Sequence, residues 1–571
     1  MFAGLCLALS TLTVAQVHDP RALEADPATA EEPIAPVLVG LGDERLAITT
    51  GEPKAQQFFD QGLRLTYGFN HSEALRAFKE AARLDPDCAM AYWGWALVLG
   101  PNLNLPMQDQ VVGQAYEAMQ EAVSRKVTVS EKEQAMIDAL ATRYAPAAEH
   151  ADEAEEGEED PEEKKKQKAE KKEQRKKLDA AYAEAMKSLH ERYPDDDNIA
   201  TLYAASLMNL SPWRYWNNDG SPRENTKTVL ATLQHVIDRD PEHTGAIHYY
   251  IHAVEAAHPD RAEHAAEVLG TLAPKAGHLV HMPAHIYMRV GRYEDSYDAN
   301  VKAVEADEGY ITSCSAQGIY PLGYYPHNIH FMVWSAMFEG RSAEALEMAR
   351  KVAGKIPEHI DEKNWRKYEL FRSQPFYTMV RFGMWDEVLA EPRPIPKARF
   401  MTAIWHYSRS LAYLHTGNAG KARKEWKALH AIRKDIVDTG GRRGGYGTLL
   451  AIASEIIEGE MLARKERYGD ALPHLERAVR LEGSLGYSEP PAWYFPVRHA
   501  LGAVLIEAGY PNEAEVVYWT DLQKNPENGY ALFGLKLSLL AQGKDEEAEA
   551  VAQRFEKAWA RADVELTTSR F

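Results

Sequence analysis

Small, large and proline residues alternate along this chain with a spacing that predicts paired helices. From Phe58 to Pro86 it reads FFDQGLRLTYGFNHSEALRAFKEAARLDP, with Gly62, Leu65, Ala74, Phe78, Ala81 and Pro86 at the offsets of a helix-turn-helix unit of about 34 residues. Small residues let two helices approach, large ones fill the space between them, and the proline ends the second helix. Gly502, Gly509, Ala514 and Pro526 repeat the offsets, and another unit follows with Leu535, Gly543 and Ala548. Weaker copies surround Gly291-Arg292-Tyr293, the run from Gly340 to Ala345, Gly417-Asn418 and the stretch from Ala471 to Ala478, giving at least seven units. Ala262 to Pro274 and Val229 to Pro241 read as second helices of two more, the latter after an irregular loop from Ser211 to Asn225. A unit of this kind buries its apolar face only against stacked neighbours, so the pattern predicts an all-α solenoid.

At 571 residues and 45% hydrophobic content the chain can bury a long continuous core. Its 65 basic and 85 acidic residues give a formal charge of −20, which repels nucleic-acid phosphates and anionic lipid surfaces. Asp152 to Glu163 is almost wholly acidic and Lys164 to Lys177 almost wholly basic. That segment reads as a solvated helix or disordered insertion over 149–178. It separates an N-terminal repeat segment, 54–148, from a central array, 179–390, followed by a C-terminal array, 391–571. Phe2 to Val17 is apolar, and Thr13-Val14-Ala15 offers small side chains to a signal peptidase. Residues 1–16 are thus expected to be a signal peptide and 17–53 an N-terminal extension, with the product exported to a periplasmic or extracellular location. No later stretch has the ~20 apolar residues of a membrane span. Cys88 and Cys314 lie in no metal or redox spacing and read as small buried side chains.

From about residue 54 onward the chain resembles the tetratricopeptide repeat superfamily. HYYIHAVEAAHPDRA, GHLVHMPAHIYMRVGRY and YYPHNIHF resemble more narrowly a functionally uncharacterised group of exported bacterial repeat proteins with histidine-rich repeats. The resemblance implies a right-handed superhelix whose first helices line a concave groove, a surface that in the superfamily takes proteins or peptides.

Histidine is the residue type that points to chemistry. Ten of the 21 histidines fall between His243 and His330, where an even spread over 571 residues would put about three. His248, His252 and Glu255 run i, i+4, i+7, whereas His278, His281 and His285 run i, i+3, i+7. His327, His330 and Trp334 repeat the latter spacing 49 residues on, in the same register from Gly340 as the earlier set from Gly291. Three adjacent first helices would then aim imidazoles at one region of the groove.

Neutral imidazole is a ligand for transition metals, and pairs at i, i+4 can grip one ion from successive turns. The candidate metal ligands are His248, His252, Glu255, His278, His281, His285, His327 and His330. They exceed one closed zinc site, so two ions share them or some act as supporting partners. This set suits copper, iron or zinc better than calcium or magnesium. Tyr324, Tyr325 and Trp334 are candidate groove ligands, and Trp213, Tyr215 and Trp216 could close the groove. Pro283 predicts a kink between His281 and His285. No H-E-x-x-H motif, nucleophile elbow, phosphate loop or dinucleotide fingerprint is present, so no catalytic residue is assigned. Two functions follow: a metal-binding solenoid whose ion could support oxidation or hydrolysis, or a metal-free scaffold that binds proteins or peptides in its groove.

Overall fold

The computed structural model describes residues 18–146, 161–217, 219–357, 368–436 and 445–571. Among them no strand forms, and the β-pairing is an isolated bridge between Trp216 and Pro222. After a short α1 (Pro20–Glu24), helices pair in succession: α2 (Pro53–Tyr67) with α3 (His71–Leu84), α4 (Ala89–Leu99) with α5 (Val112–Arg125), and α6 (Glu131–Ala141) with the long α7 (Pro161–Arg192). The central repeats pair α8 (Asp197–Leu210) with α9 (Thr226–Arg239), α10 (Thr244–Val254) with α11 (Glu263–Leu272), α12 (Gly277–Val290) with α13 (Tyr293–Cys314), and α14 (Tyr325–Phe338) with α15 (Ser342–Gly354). Three short helices follow, α16 (Glu369–Arg372), α17 (Gln374–Arg381) and α18 (Trp385–Ala390). The C-terminal pairs are α19 (Arg399–His415) with α20 (Ala419–Asp435), α21 (Tyr446–Ala463) with α22 (Tyr468–Gly483), α23 (Arg498–Glu507) with α24 (Pro511–Leu522), and α25 (Gly529–Ala541) with α26 (Asp545–Ala558).

The repeat offsets have a direct steric cause. A Cβ on Gly62 of α2 would lie 2.7 Å from the Phe78 ring of α3, and one on Gly94 of α4 would lie 2.3 Å from the same ring. Phe78 therefore fills a slot that exists because both flanking helices lack a side chain there. Gly502 and Gly534 flank the Tyr518 ring in the same way, at 2.4 and 2.2 Å. First helices such as α10, α12 and α14 are buried almost all round, whereas second helices such as α9 and α15 bury one stripe.

The expected insertion divides in two. Residues 147–160 lie outside the described residues, while the basic run forms the exposed first half of α7. Buried Tyr182, Ala183, Met186 and Leu189 seat the second half of that helix. The signal segment Phe2–Val17 also lies outside the described residues. The N-terminal extension is a strap across the repeats: Leu38 N donates to Gln61 Oε1 at 2.8 Å, Ile34 N to Glu80 Oε2 at 2.8 Å, and Lys275 N to the Gly40 carbonyl at 2.9 Å.

The stack does not end as an open spiral, because its last repeats return to its centre. Gly291 and Gly340 close α12 and α14 at φ of +83° and +72°, and each also admits the C-terminal array: a Cβ would lie 2.7 Å from the Pro526 carbonyl oxygen and 2.4 Å from the Trp559 ring, respectively. Tyr293 Oη donates to the Pro526 carbonyl at 2.6 Å, and the Asp563 carboxylate accepts from Ser342 N at 2.7 Å and Ala343 N at 3.0 Å. α12 runs unbroken through Pro283, and Pro375 stands in the first turn of α17.

Candidate metal centre

Side chains from α10, α12 and α14 meet beneath this closure. His248, His252, Glu255, His278, His281 and His285 are between 0 and 4% exposed, and His327 is half-buried. They form two groups of three imidazoles, His248 with His252 and His278, and His281 with His285 and His327. In each group one ligand atom per residue lies within 4.8 Å of the others.

In the second group the surrounding acceptors assign the ring tautomers. Asn300 Nδ2 donates to the Ser296 carbonyl at 2.7 Å, so its oxygen is the atom 2.6 Å from His281 Nδ1. His281 therefore carries its hydrogen on Nδ1 and presents a lone pair at Nε2. His285 Nδ1 stands 3.0 Å from Glu489 Oε2 and 3.1 Å from Glu255 Oε2, which fixes its hydrogen on Nδ1 as well. The inward atoms converge, with His281 Nε2 2.9 Å from His285 Nε2 and 3.1 Å from His327 Nε2. His281 Nε2 can accept a hydrogen from His285 Nε2 or His327 Nε2, and an ion replacing that hydrogen could be held by the three nitrogens, which lie within 4.8 Å of one another.

The first group follows the same logic. Gly245 on α10 lets the Tyr67 ring lie where a Cβ would be only 2.7 Å away. That close approach brings the Tyr67 carbonyl, left unpaired at the end of α2, to accept from His248 Nδ1 at 2.6 Å. His252 Nδ1 faces Glu255 at 3.4 Å. Among the described residues, His248 Nε2, His252 Nε2 and both ring nitrogens of His278 are buried with no hydrogen-bond partner. Buried polar atoms are normally paired, so four imidazole nitrogens left so in one spot form a donor set awaiting an acceptor.

Burial pushes His248, His278 and His281 well below the ordinary imidazole value, with their neighbouring imidazoles adding to the effect, and it lowers His252 despite Glu255. These four are neutral near pH 7, the state that binds metal. Burial also disfavours charge on His285, but Glu255 and Glu489 together outweigh it and raise this ring to about 10, so near pH 7 it is an imidazolium whose Nε2 hydrogen points to His281 Nε2 and must leave before this ring can bind a metal. Burial likewise opposes ionisation of Glu255, yet His285 and His252 overcome it and bring the carboxyl down to about 2. Glu489 moves up because burial outweighs the help from His285. Glu255, His285 and Glu489 also lie close enough to form a ligand cluster. Their oxygens, however, face the hydrogen-bearing Nδ1 atoms of His252 and His285, the arrangement of carboxylates that orient metal-binding imidazoles.

Apolar rings enclose both groups. Phe69 lies 4.5 Å from His248 and 5.4 Å from His278, centroid to centroid, and Trp213, in the irregular loop, stands 5.0 Å from His252. Phe331 packs 4.6, 4.8 and 5.0 Å from His281, His285 and His327.

Seven of the eight expected ligands are thus brought together. His330 stands apart, half-buried with its ring 5.7 Å from Phe371. Glu255 serves the Nδ1 side of two imidazoles. Tyr324 packs 4.9 Å from His278, Tyr325 turns away to Glu308, and Trp334 packs on Phe331 and Phe338. Glu489, Asn300, Tyr67 and Phe69 were not expected from sequence. Glu489 comes from a coil 204 residues beyond His285, and its one signal is the Pro- and aromatic-rich run YSEPPAWYF inside an otherwise regular array.

Fold and site together define an all-helical solenoid of tetratricopeptide-type repeats with a buried histidine cluster. No family model matches the chain, and no curated protein matches it. Solved structures with some likeness include the human IFIT1 dimer with m7Gppp-AAAA, at 11% identity and a TM-score of 0.28 over 89% of this chain and 91% of that one. The APC/C hetero-tetramer Cut9-Hcn1 follows at 13% and 0.28 over 88% and 76%, and Naa15/Naa10 bound to HypK-THB at 10% and 0.23 over 88% and 71%. At these TM-scores the likeness adds nothing to the helix pairing described above. Among the described residues no helix is long and apolar enough to cross a membrane.

Proposed function

We propose that this protein binds transition-metal ions at two tri-histidine centres, one held by His248, His252 and His278 and the other by His281, His285 and His327. The observation that carries the reading is the convergence of six imidazoles, four of which have Nδ1 tied down, His248 to the Tyr67 carbonyl, His252 to Glu255, His281 to Asn300 and His285 to Glu489. Copper, iron and zinc accept such a set, and three imidazoles leave a fourth position for water or substrate. The ion would supply Lewis acidity or redox chemistry for hydrolysis or oxidation. Asn300, Glu255 and Glu489 hold the rings in the required tautomers, and Phe69, Trp213 and Phe331 keep bulk water out. A peptide-binding role would have to use another part of the inner surface, since the histidine face is closed. Export remains part of the proposal, and N-terminal sequencing of the mature protein is expected to begin at about residue 16.

Elemental analysis of untagged protein tests the metal reading. About two equivalents of copper, iron or zinc are expected per chain, falling to about one in the His248→Ala/His278→Ala variant and in the His281→Ala/His327→Ala variant. Asn300→Ala is expected to keep the fold and lose roughly 10–100-fold in affinity, read by competition with a chelator. Protein that is metal-free as purified, and stays so after incubation with Cu(II), Fe(II) and Zn(II), would overturn the proposal.

A further inference from the structure

A cavity of about 350 Å³ lies between the strap at residues 36–41, α2, the start of α12 and α13, and His278 forms part of its wall. The strap is fixed there from both sides, since Gln61 accepts from Leu38 N and donates to the Pro36 carbonyl at 2.9 Å, while Lys275 N holds Gly40. Buried Leu41, Leu65 and Tyr320 make the inner wall apolar, and exposed Val37 and Val39 stand at the outside.

Charge in this cavity runs against the rest of the molecule. In a chain of net charge −20, the lining contains Arg64 and Lys275 and no Asp or Glu. Lys275 is exposed, and its ammonium makes no ion pair among the described residues. Arg64 makes one hydrogen bond there, from Nε to the Glu44 carbonyl at 2.7 Å, and its charge also acts on the nearby Glu44 and Asp60 carboxylates, with which it forms no ion pair among the described residues. His278, 3% exposed and with neither ring nitrogen paired, also lines the cavity.

We propose that this cavity binds an apolar monocarboxylate, its head on Arg64 and Lys275 and its body running inward to His278. Two cations in the lining match one carboxylate, whereas a phosphate would call for a cradle of further donors that these walls do not supply. The apolar wall takes the body by excluding water. The part of the ligand met by the histidine centre is its end remote from the carboxylate. This last step rests on the metal reading, but occupation of the cavity does not.

Octanoate and octanol are the probes, titrated calorimetrically into chelator-treated, full-length protein. Octanoate is expected to bind one per chain and octanol roughly tenfold more weakly, with Lys275→Met removing a similar factor for octanoate alone. Gly309, on α13, lines the cavity, and a Cβ there meets nothing within 4 Å. Gly309→Phe should therefore keep its circular dichroism and melting temperature while abolishing octanoate binding. Absence of octanoate binding would overturn the proposal, as would binding as tight in Gly309→Phe or in Lys275→Met as in the native chain. Because every arm is read without metal, failure of the metal reading leaves these results standing, and failure of octanoate to bind leaves the metal reading standing.

Discussion

Asp307 shows how a single residue supports the site without facing it. Its carboxylate is buried, accepts from Tyr320 Oη at 2.7 Å and Asn328 Nδ2 at 2.8 Å, and would lie 1.8 Å from a Cβ on Gly277 at the start of α12. Burial raises it to about 7 against those two hydrogen bonds. In the unfolded chain the group titrates near 4, so between about pH 4 and 7 the folded protein keeps a proton that the unfolded chain has lost. Stability therefore falls as pH rises through this window, by up to about 4 kcal/mol, and stays low above it. Asp307→Asn should lose that slope and be more stable than the native chain at pH 8, as judged by urea unfolding at pH 5 and pH 8. Equal slopes in the two proteins would refute the assignment.

At the scale of the helix, what was legible in the sequence and what was not divide along physical lines. The pairs His248/His252 and His281/His285 stand at i, i+4, and side chains so spaced lie one above the other. On α14 the place four residues after His327 belongs to Phe331, and His330, one residue earlier, is rotated towards Phe371. Repeat register alone thus placed His330 with a cluster that it stands apart from. Glu489 was hidden for a different reason, since a contact made by a coil across 204 residues leaves no periodic trace. The glycine offsets were legible for two reasons, since Gly62 and Gly502 answer to a ring and Gly417, Gly509 and Gly543 to the positive φ of their turns. Gly62→Ala should therefore cost roughly 1–3 kcal/mol through its clash with Phe78. Gly309→Ala, whose Cβ meets open space within α13, should stabilise by about 0.5–1 kcal/mol. Chemical denaturation of the two variants tests both signs, and a stabilised Gly62→Ala would contradict the packing described for the repeat.

For the whole molecule, the closure would make the proposed metal binding and folding one problem. The proposed ligands come from three central repeats, while their supporting groups include the Tyr67 carbonyl of the first repeat and Glu489 of the C-terminal array. An ion bound only by the folded state stabilises it by mass action, by about 4 kcal/mol when free metal exceeds Kd a thousandfold. A chelator should therefore lower the melting temperature of native protein, and the loss should vanish in the His248→Ala/His278→Ala/His281→Ala/His327→Ala variant. An unchanged native melting curve would separate folding from the cluster.

The contact between His285 and Glu489 also has a consequence in time. These residues are 204 positions apart, and a ribosome working at about 5–20 residues per second needs roughly 10–40 s to travel from one to the other. For that interval the imidazole exists without the carboxylate that sets its proton. The proposed second centre would thus be completed only after most of the polypeptide has emerged, so an ion held there would be taken up by the finished protein and not by the nascent chain.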